Sequence, residues 1–143
     1  MIKISFALDI ANDWPPVGSE SVWCDEIDGG YKLLNAPFFI NGLAAGDVFS
    51  AEIDKVNQHV FDFTVIKHSV HSLVWLMNMS ESNLDSGLAE LRQIGCNTEG
   101  FSKFDLYSVD VPPTVELSKL DKILSHLENQ EVAVAYPVWR FEE

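Results

Sequence analysis

Residues 72–95 read SLVWLMNMSESNLDSGLAELRQIG, and the way this stretch is parsed decides the fold. Ser72 to Met79 is strongly apolar and too short for a buried helix, which is the pattern of a core strand. Ser82-Asn83-Leu84-Asp85 follows, with a capping side chain and an acidic residue where the positive end of a helix dipole favours them. Leu84, Leu88, Leu91 and Ile94 then recur at helical spacing until Gly95, a natural stop residue.

Downstream, Cys96 to Gly100 and Phe104 to Val111 read as two strands joined near Ser102-Lys103. Pro112-Pro113-Thr114 then starts a second helix carrying Leu117, Leu120, Ile123, Leu124 and Leu127 on one face. Val132 to Val138 is the last strand. From Ser72 the order is therefore strand, helix, strand, strand, helix, strand, which predicts a ferredoxin-like βαββαβ sandwich.

Upstream the pattern is different. Ile2, Ile4, Phe6 and Leu8 alternate with Lys3, Ser5 and Ala7, the period-2 signature of a half-buried strand. Asn12 to Gly18, with Pro15 and Pro16, must be irregular. Ser21 to Ile27, the turn Asp28-Gly29-Gly30 and Tyr31 to Asn35 make a hairpin. A glycine-punctuated turn, Asn41 to Asp47, leads into Val48 to Val56, and His59 to Lys67 returns beside it. The expectation is an α+β protein: a β-rich antiparallel meander over residues 1–70, then the sandwich over 71–143, packed as one unit. Whether the meander stays open or closes into a barrel is not encoded in its periodicity.

The chain has 143 residues, 22 acidic against nine basic, and a formal charge of −13. With 47% hydrophobic residues it has material for a real core, so the acidity belongs to a folded surface. Such a surface repels nucleic-acid phosphates and anionic lipid and attracts basic proteins. Met1 to Ala11 lacks the pattern of a signal peptide, and no apolar run approaches the roughly 20 residues of a membrane span. Cys24 and Cys96 stand far apart in apolar surroundings, as buried thiols of a reducing compartment do. A soluble, cytoplasmic protein is expected, with no cofactor.

The most distinctive stretch for recognition is Trp14 to Trp23, which holds two tryptophans, a rigid proline pair and Glu20 between serines. It is able to form a recognition lip; the bland alternative is that both tryptophans pin the proline loop to the sheet and Glu20 is merely exposed. The segments Trp14 to Trp23 (WPPxxSESxW), Tyr31 to Phe39, Gly42 to Asp47 (GLAxGD), Ser69 to Ser72 (SxHS) and Val109 to Pro113 (VDVPP) occur in this order over most of the chain. In them the chain resembles an uncharacterised bacterial family of domains of unknown function. Val70 stands where that family has Gly, and Trp75 where it has Arg, so a polar site built from the neighbouring His and that Arg would be incomplete. The resemblance implies no activity.

His59, His68, His71 and Asp62 match no metal-ligand spacing. Cys96, at a helix C-terminus, is badly placed for a reactive thiolate, and no nucleophile elbow occurs. Gly42 and Gly46 enter a strand and so do not make a phosphate loop; Asp47 caps that turn. An enzyme built around Asp47, His71 and Glu20 is the least favoured reading. The favoured one is a non-catalytic acidic immunity protein that neutralises a basic, nuclease-type toxin, with Glu20, Asp25, Glu26 and Asp28 as charged contacts and Trp14 and Trp23 as anchors. The alternative is a small-molecule-binding regulatory module of ferredoxin-like fold, which predicts an apolar pocket and a homodimer.

Overall fold

A computed structural model describes residues 1–141, and the chain divides into two compact units, Met1–Ser69 and Val70–Glu143. The architecture is α+β, mostly antiparallel strand with two helices.

The first unit contains β1 (Ile2–Ala7), β2 (Ser19–Ile27), β3 (Gly30–Leu33), β4 (Val48–Ile53) and β5 (His59–Lys67). Each strand pairs antiparallel with the next, from Ile2↔Cys24 between β1 and β2 to Val48↔Lys67 between β4 and β5. The meander then closes into a barrel, because β1 also lies parallel to β5 through Ser5↔His59 and Phe6↔Val60. Alternation puts Ile4, Phe6, Val22, Cys24, Leu33, Phe49 and Val60 inside, where they fill a barrel too narrow to hold a channel. The rings of Phe6, Tyr31 and Phe63 surround Phe49 at 5.6–6.1 Å.

Between β3 and β4 the chain makes the glycine-rich turn anticipated from sequence. Asp47 is fully buried; its Oδ2 accepts from the Ala44 N–H at 3.0 Å and its Oδ1 from the Ser69 N–H at 2.7 Å. Ser69 Oγ donates to the Ala45 carbonyl at 2.7 Å. Gly46 supports this with a φ of +87°, a conformation that costs a side-chain-bearing residue energy. Asp47 thus ties the turn to the last residue of the unit and does more than cap its own loop.

The second unit holds β6 (Ser72–Asn78), α1 (Asp85–Gln93), β7 (Asn97–Phe101), a 3-10 turn at Ser102–Phe104, β8 (Leu106–Val111), α2 (Leu117–Asn129) and β9 (Val132–Val138). The sheet order is β7-β8-β6-β9, with every pairing antiparallel. Val74, Leu76, Val109, Val111 and Val132 pack with Leu88 and Leu91 of α1 and Leu120, Ile123, Leu124 and Leu127 of α2, so both helices share one face of the sheet.

Two expectations at helix ends are corrected. The N-cap position of α1 is Leu84, which supplies no capping side chain; Asn83 Oδ1, one residue earlier, accepts from the Asp85 N–H at 2.8 Å. The second helix does not start at Pro112: the prolines form a turn in which the Val115 N–H donates to the Pro112 carbonyl, Glu116 is extended, and helical geometry begins at Leu117. Burying Val115 in the core takes precedence over starting the helix early. Among the described residues no helix is long and apolar enough to cross a membrane.

Candidate protein-binding face

The residues singled out for recognition do not form one cluster. Glu20 sits on β2 with its carboxylate turned onto the 36–40 loop, where it accepts from the Phe38 N–H at 2.6 Å and the Phe39 N–H at 2.8 Å. Trp14 meets Phe39 edge to face at 5.8 Å and leaves 46% of its surface exposed. Glu20 and Trp14 therefore both hold Phe39, the first through its backbone N–H and the second through its ring. Glu20 is half-buried and internally engaged, unlike the exposed charge either sequence reading assumed.

Trp23 and Asp25 lie on the outward face of β2. The Trp23 backbone N–H donates to Asn35 Oδ1 at 2.8 Å, and Asp25 Oδ1 lies 3.5 Å from the N-terminal amine. Glu26 and Asp28 are at the far end of the strand, about 20 Å from Glu20 at strand rise.

At that far end the structure assembles a surface not recognised in the sequence. Ile53, Phe61 and Ile66 project outward from β4 and β5, and Ile27 from the end of β2; Phe61 is 57% and Ile66 56% exposed. A groove of about 720 Å³ runs over β4 and β5, lined by Glu52, Ile53, Asp54, Phe61 and Asp62 among others. A second hollow of about 250 Å³ beside the β2–β3 turn, lined by Glu26, Ile27, Gly30 and Tyr31, shares Ser50 and Ala51 with it. The two form one continuous face in which apolar side chains are rimmed by Glu26, Glu52, Asp54 and Asp62, and Lys55 is the sole cation among the lining residues. Exposed apolar area of this kind, with a charged rim, is typical of surfaces that bind other proteins.

The strand pattern alone pointed Phe61 the other way. Along β5 the inward residues are Val60, Phe63 and Val65, and Phe61 shares the phase of Phe63 and Val65 yet is exposed. A shift in register between Ala51 and Ile53 accommodates the extra residue and turns Phe61 to solvent.

The second unit holds a polar constellation of another kind. Asp110, on β8, is 7% exposed; its Oδ1 lies 2.7 Å from His71 Nδ1, and its Oδ2 accepts from Asn97 Nδ2 at 3.0 Å. Register explains the meeting, since Asp110 is opposite Asn97 on β7 and opposite Leu73 on β6, two residues after His71. Sequence reading considered His71 but missed Asp110, whose partner lies 39 residues away. The carboxylate holds one imidazole nitrogen and fixes the ring's orientation.

The nearby Cys96 does not complete a nucleophilic set. Its side chain packs on the opposite, helix-covered side of the sheet. Burial, assisted by the Asp110 charge, pushes its thiol up to about 12; burial and then Asp25 push Cys24 to about 11. Neither thiol is therefore expected to react with iodoacetamide near pH 8 in the native protein, where roughly one in a thousand or fewer would be thiolate. Both should be carboxamidomethylated once denaturant is added, which intact-mass spectrometry would read directly. Native-state modification of Cys96 would contradict its placement in the core. Among the described residues, no three His, Cys, Asp or Glu side chains converge to hold a metal ion.

Comparison with curated proteins gives no match. The fold is similar to that of a hypothetical protein from Neisseria gonorrhoeae solved by crystallography, with a TM-score of 0.77, 18% sequence identity and 99% of each chain covered. A family model described as a domain of unknown function, DUF4265, matches residues 20–135, from the strand that carries Glu20 through most of β9, and the chain belongs to that family.

Proposed function

We propose that the protein is a non-catalytic binding domain whose barrel face docks a basic protein, and that it acts in the cytoplasm as an immunity protein against a basic, nuclease-type toxin. The observation that carries this reading is the outward-facing set Ile27, Ile53 and Phe61 inside a rim of carboxylates, with exposed Ile66 next to Gly30, on a chain of net charge −13. Phe61 and Ile66 supply the desolvated centre that dominates binding energy, and the acids accelerate encounter with a cationic partner. Glu26 and Asp28 keep the role expected from sequence, as rim charges at the β2–β3 turn. Carboxylates facing a nuclease's basic groove would stand where substrate phosphates do.

We also infer a ferredoxin-like sandwich for the second unit. The order β7-β8-β6-β9, all antiparallel, with α1 and α2 on one face, supports it.

The test is affinity capture from the protein's own cells, comparing the native chain with a Phe61→Ser/Ile66→Ser variant. Both positions face solvent, so the fold should be kept. The expected result is one basic polypeptide retained by the native chain, released at high salt, bound at least tenfold more weakly by the variant, and inhibited as a nuclease by the native protein. Equal retention by the variant, or no retained protein, would sink the reading. A small molecule co-purifying instead would favour the regulatory module; a groove of about 640 Å³ between α1 and α2, with Ile94 and Ile123 among its lining residues, is where it would be sought.

A further inference from the structure

We propose that the corner where β9 meets α2 is a binding site for an arginine side chain of a partner polypeptide. This site lies on the second unit and does not rest on the barrel-face reading.

Tyr136 is 46% exposed, and its ring stands perpendicular to that of Trp139, with centroids 5.2 Å apart and planes at 86°. Two rings at right angles form two walls of a corner. Phe141 backs Trp139 at 5.0 Å, and both pack against the buried core of the unit, so that wall is fixed before any ligand arrives. The chain's neighbouring Arg140 is engaged elsewhere: its guanidinium reaches the His71 carbonyl at 3.4 Å.

The third side is acidic. Asp121 and Glu128 of α2 are exposed and seven residues apart, on one stripe of the helix. α2 packs against β9, which carries Tyr136; burial of the Tyr136 hydroxyl, and then the charges of Glu128 and Asp121, raise its pKa. The cations of the helix are segregated from them: Lys119 and Lys122 line the groove on the α1 side. α2 thus turns its acids to the aromatic corner and its lysines away from it.

An exposed tyrosine ring and a half-buried tryptophan beside carboxylates, with the helix lysines directed elsewhere, repel anions and suit a cation. A guanidinium fits better than an ammonium. It is planar, weakly hydrated, stacks on aromatic faces, and has enough N–H groups to fork onto a carboxylate while stacked.

The measurement is an NMR titration of the intact protein, following the Trp139 indole N–H, with capped Gly-Arg-Gly and the matching lysine and citrulline peptides. The arginine peptide is expected to shift that resonance saturably, the lysine peptide to bind about threefold more weakly, and neutral citrulline not to bind. Asp121→Asn/Glu128→Gln, which changes only exposed side chains, should weaken the arginine peptide by about fivefold or more, and Tyr136→Ser should do the same. Absence of a shift, equal binding of the lysine or citrulline peptide, or unchanged affinity in the double variant would overturn the assignment. The Phe61→Ser/Ile66→Ser variant should bind the arginine peptide normally, so failure of either site is distinguishable from failure of the other.

Discussion

Asp47→Asn is expected to destabilise the barrel unit by about 3–5 kcal/mol, the scale on which breaking a buried, hydrogen-bonded charge is felt. The carboxylate has no solvent exposure and uses both oxygens as acceptors, from the Ala44 and Ser69 N–H groups. An amide of the same shape has only one acceptor oxygen. Whichever way it turns, its NH2 faces a backbone N–H, donor against donor, in a place water does not reach. Asp47→Ala removes that clash but leaves both N–H groups empty, so it should also be costly. Urea denaturation gives the total, and hydrogen exchange at Ala44 and Ser69 gives the location: both amides should be protected in the native protein and lose protection in the variants. A change below about 1 kcal/mol would show that the two donors find other acceptors, and that Asp47 is not what ties the turn to the end of the unit.

How far such features could be read in advance depended on whether their cause was local. The strands His59–Lys67 and Val132–Val138 were legible to the residue, because alternation and flanking turn residues specify them without reference to the rest of the chain. Closure of the barrel was not, since the pairing of Phe6 with Val60 joins residues far apart and leaves no mark on either strand. The start of α2 was misread for a related reason: a proline pair is a good local start signal, but Val115 is drawn into the core first, and only a three-dimensional core makes that demand. Among the candidate site residues, Glu26 and Asp28 lie at the turn where a hairpin reading put them. Glu20 was legible as unusual but not as a clasp, because its partners are backbone N–H groups of Phe38 and Phe39, which carry no side-chain signature. Phe61 was not legible as exposed, because it shares the phase of Phe63 and Val65 and only the register shift beside Ile53 turns it out. Asp110 lay inside a recognised segment, but its significance depends on His71 and Asn97, brought to it by sheet register.

Gly30→Ala is expected to cost about 3 kcal/mol, at the upper end for forcing a methyl into a packed site, and more than Gly29→Ala. The comparison separates two reasons for a glycine. Gly29 has a φ of +83° and open space around it, so a methyl there meets only backbone strain, about 1–2 kcal/mol. Gly30 lies outside the left-handed region but has no room: a Cβ would fall 2.4 Å from the Phe49 carbonyl oxygen and 3.3 Å from Ile66 Cδ1. The isoleucine end can yield. The carbonyl cannot do so cheaply, because Phe49 is fully buried among the rings of Phe6, Tyr31 and Phe63. Relief would have to come from opening the short β3–β4 ladder, which consists of Tyr31↔Phe49 and Lys32↔Val48. Thermal denaturation of the two variants side by side should give the larger fall in Tm for Gly30→Ala; the reverse order would mean that β3 and β4 can separate slightly without loss. The same close approach brings the end of the Ile66 side chain against Gly30, the first residue of β3. Gly30→Ala should therefore also weaken capture of a basic partner, by displacing Ile66 and not by removing any contact of its own.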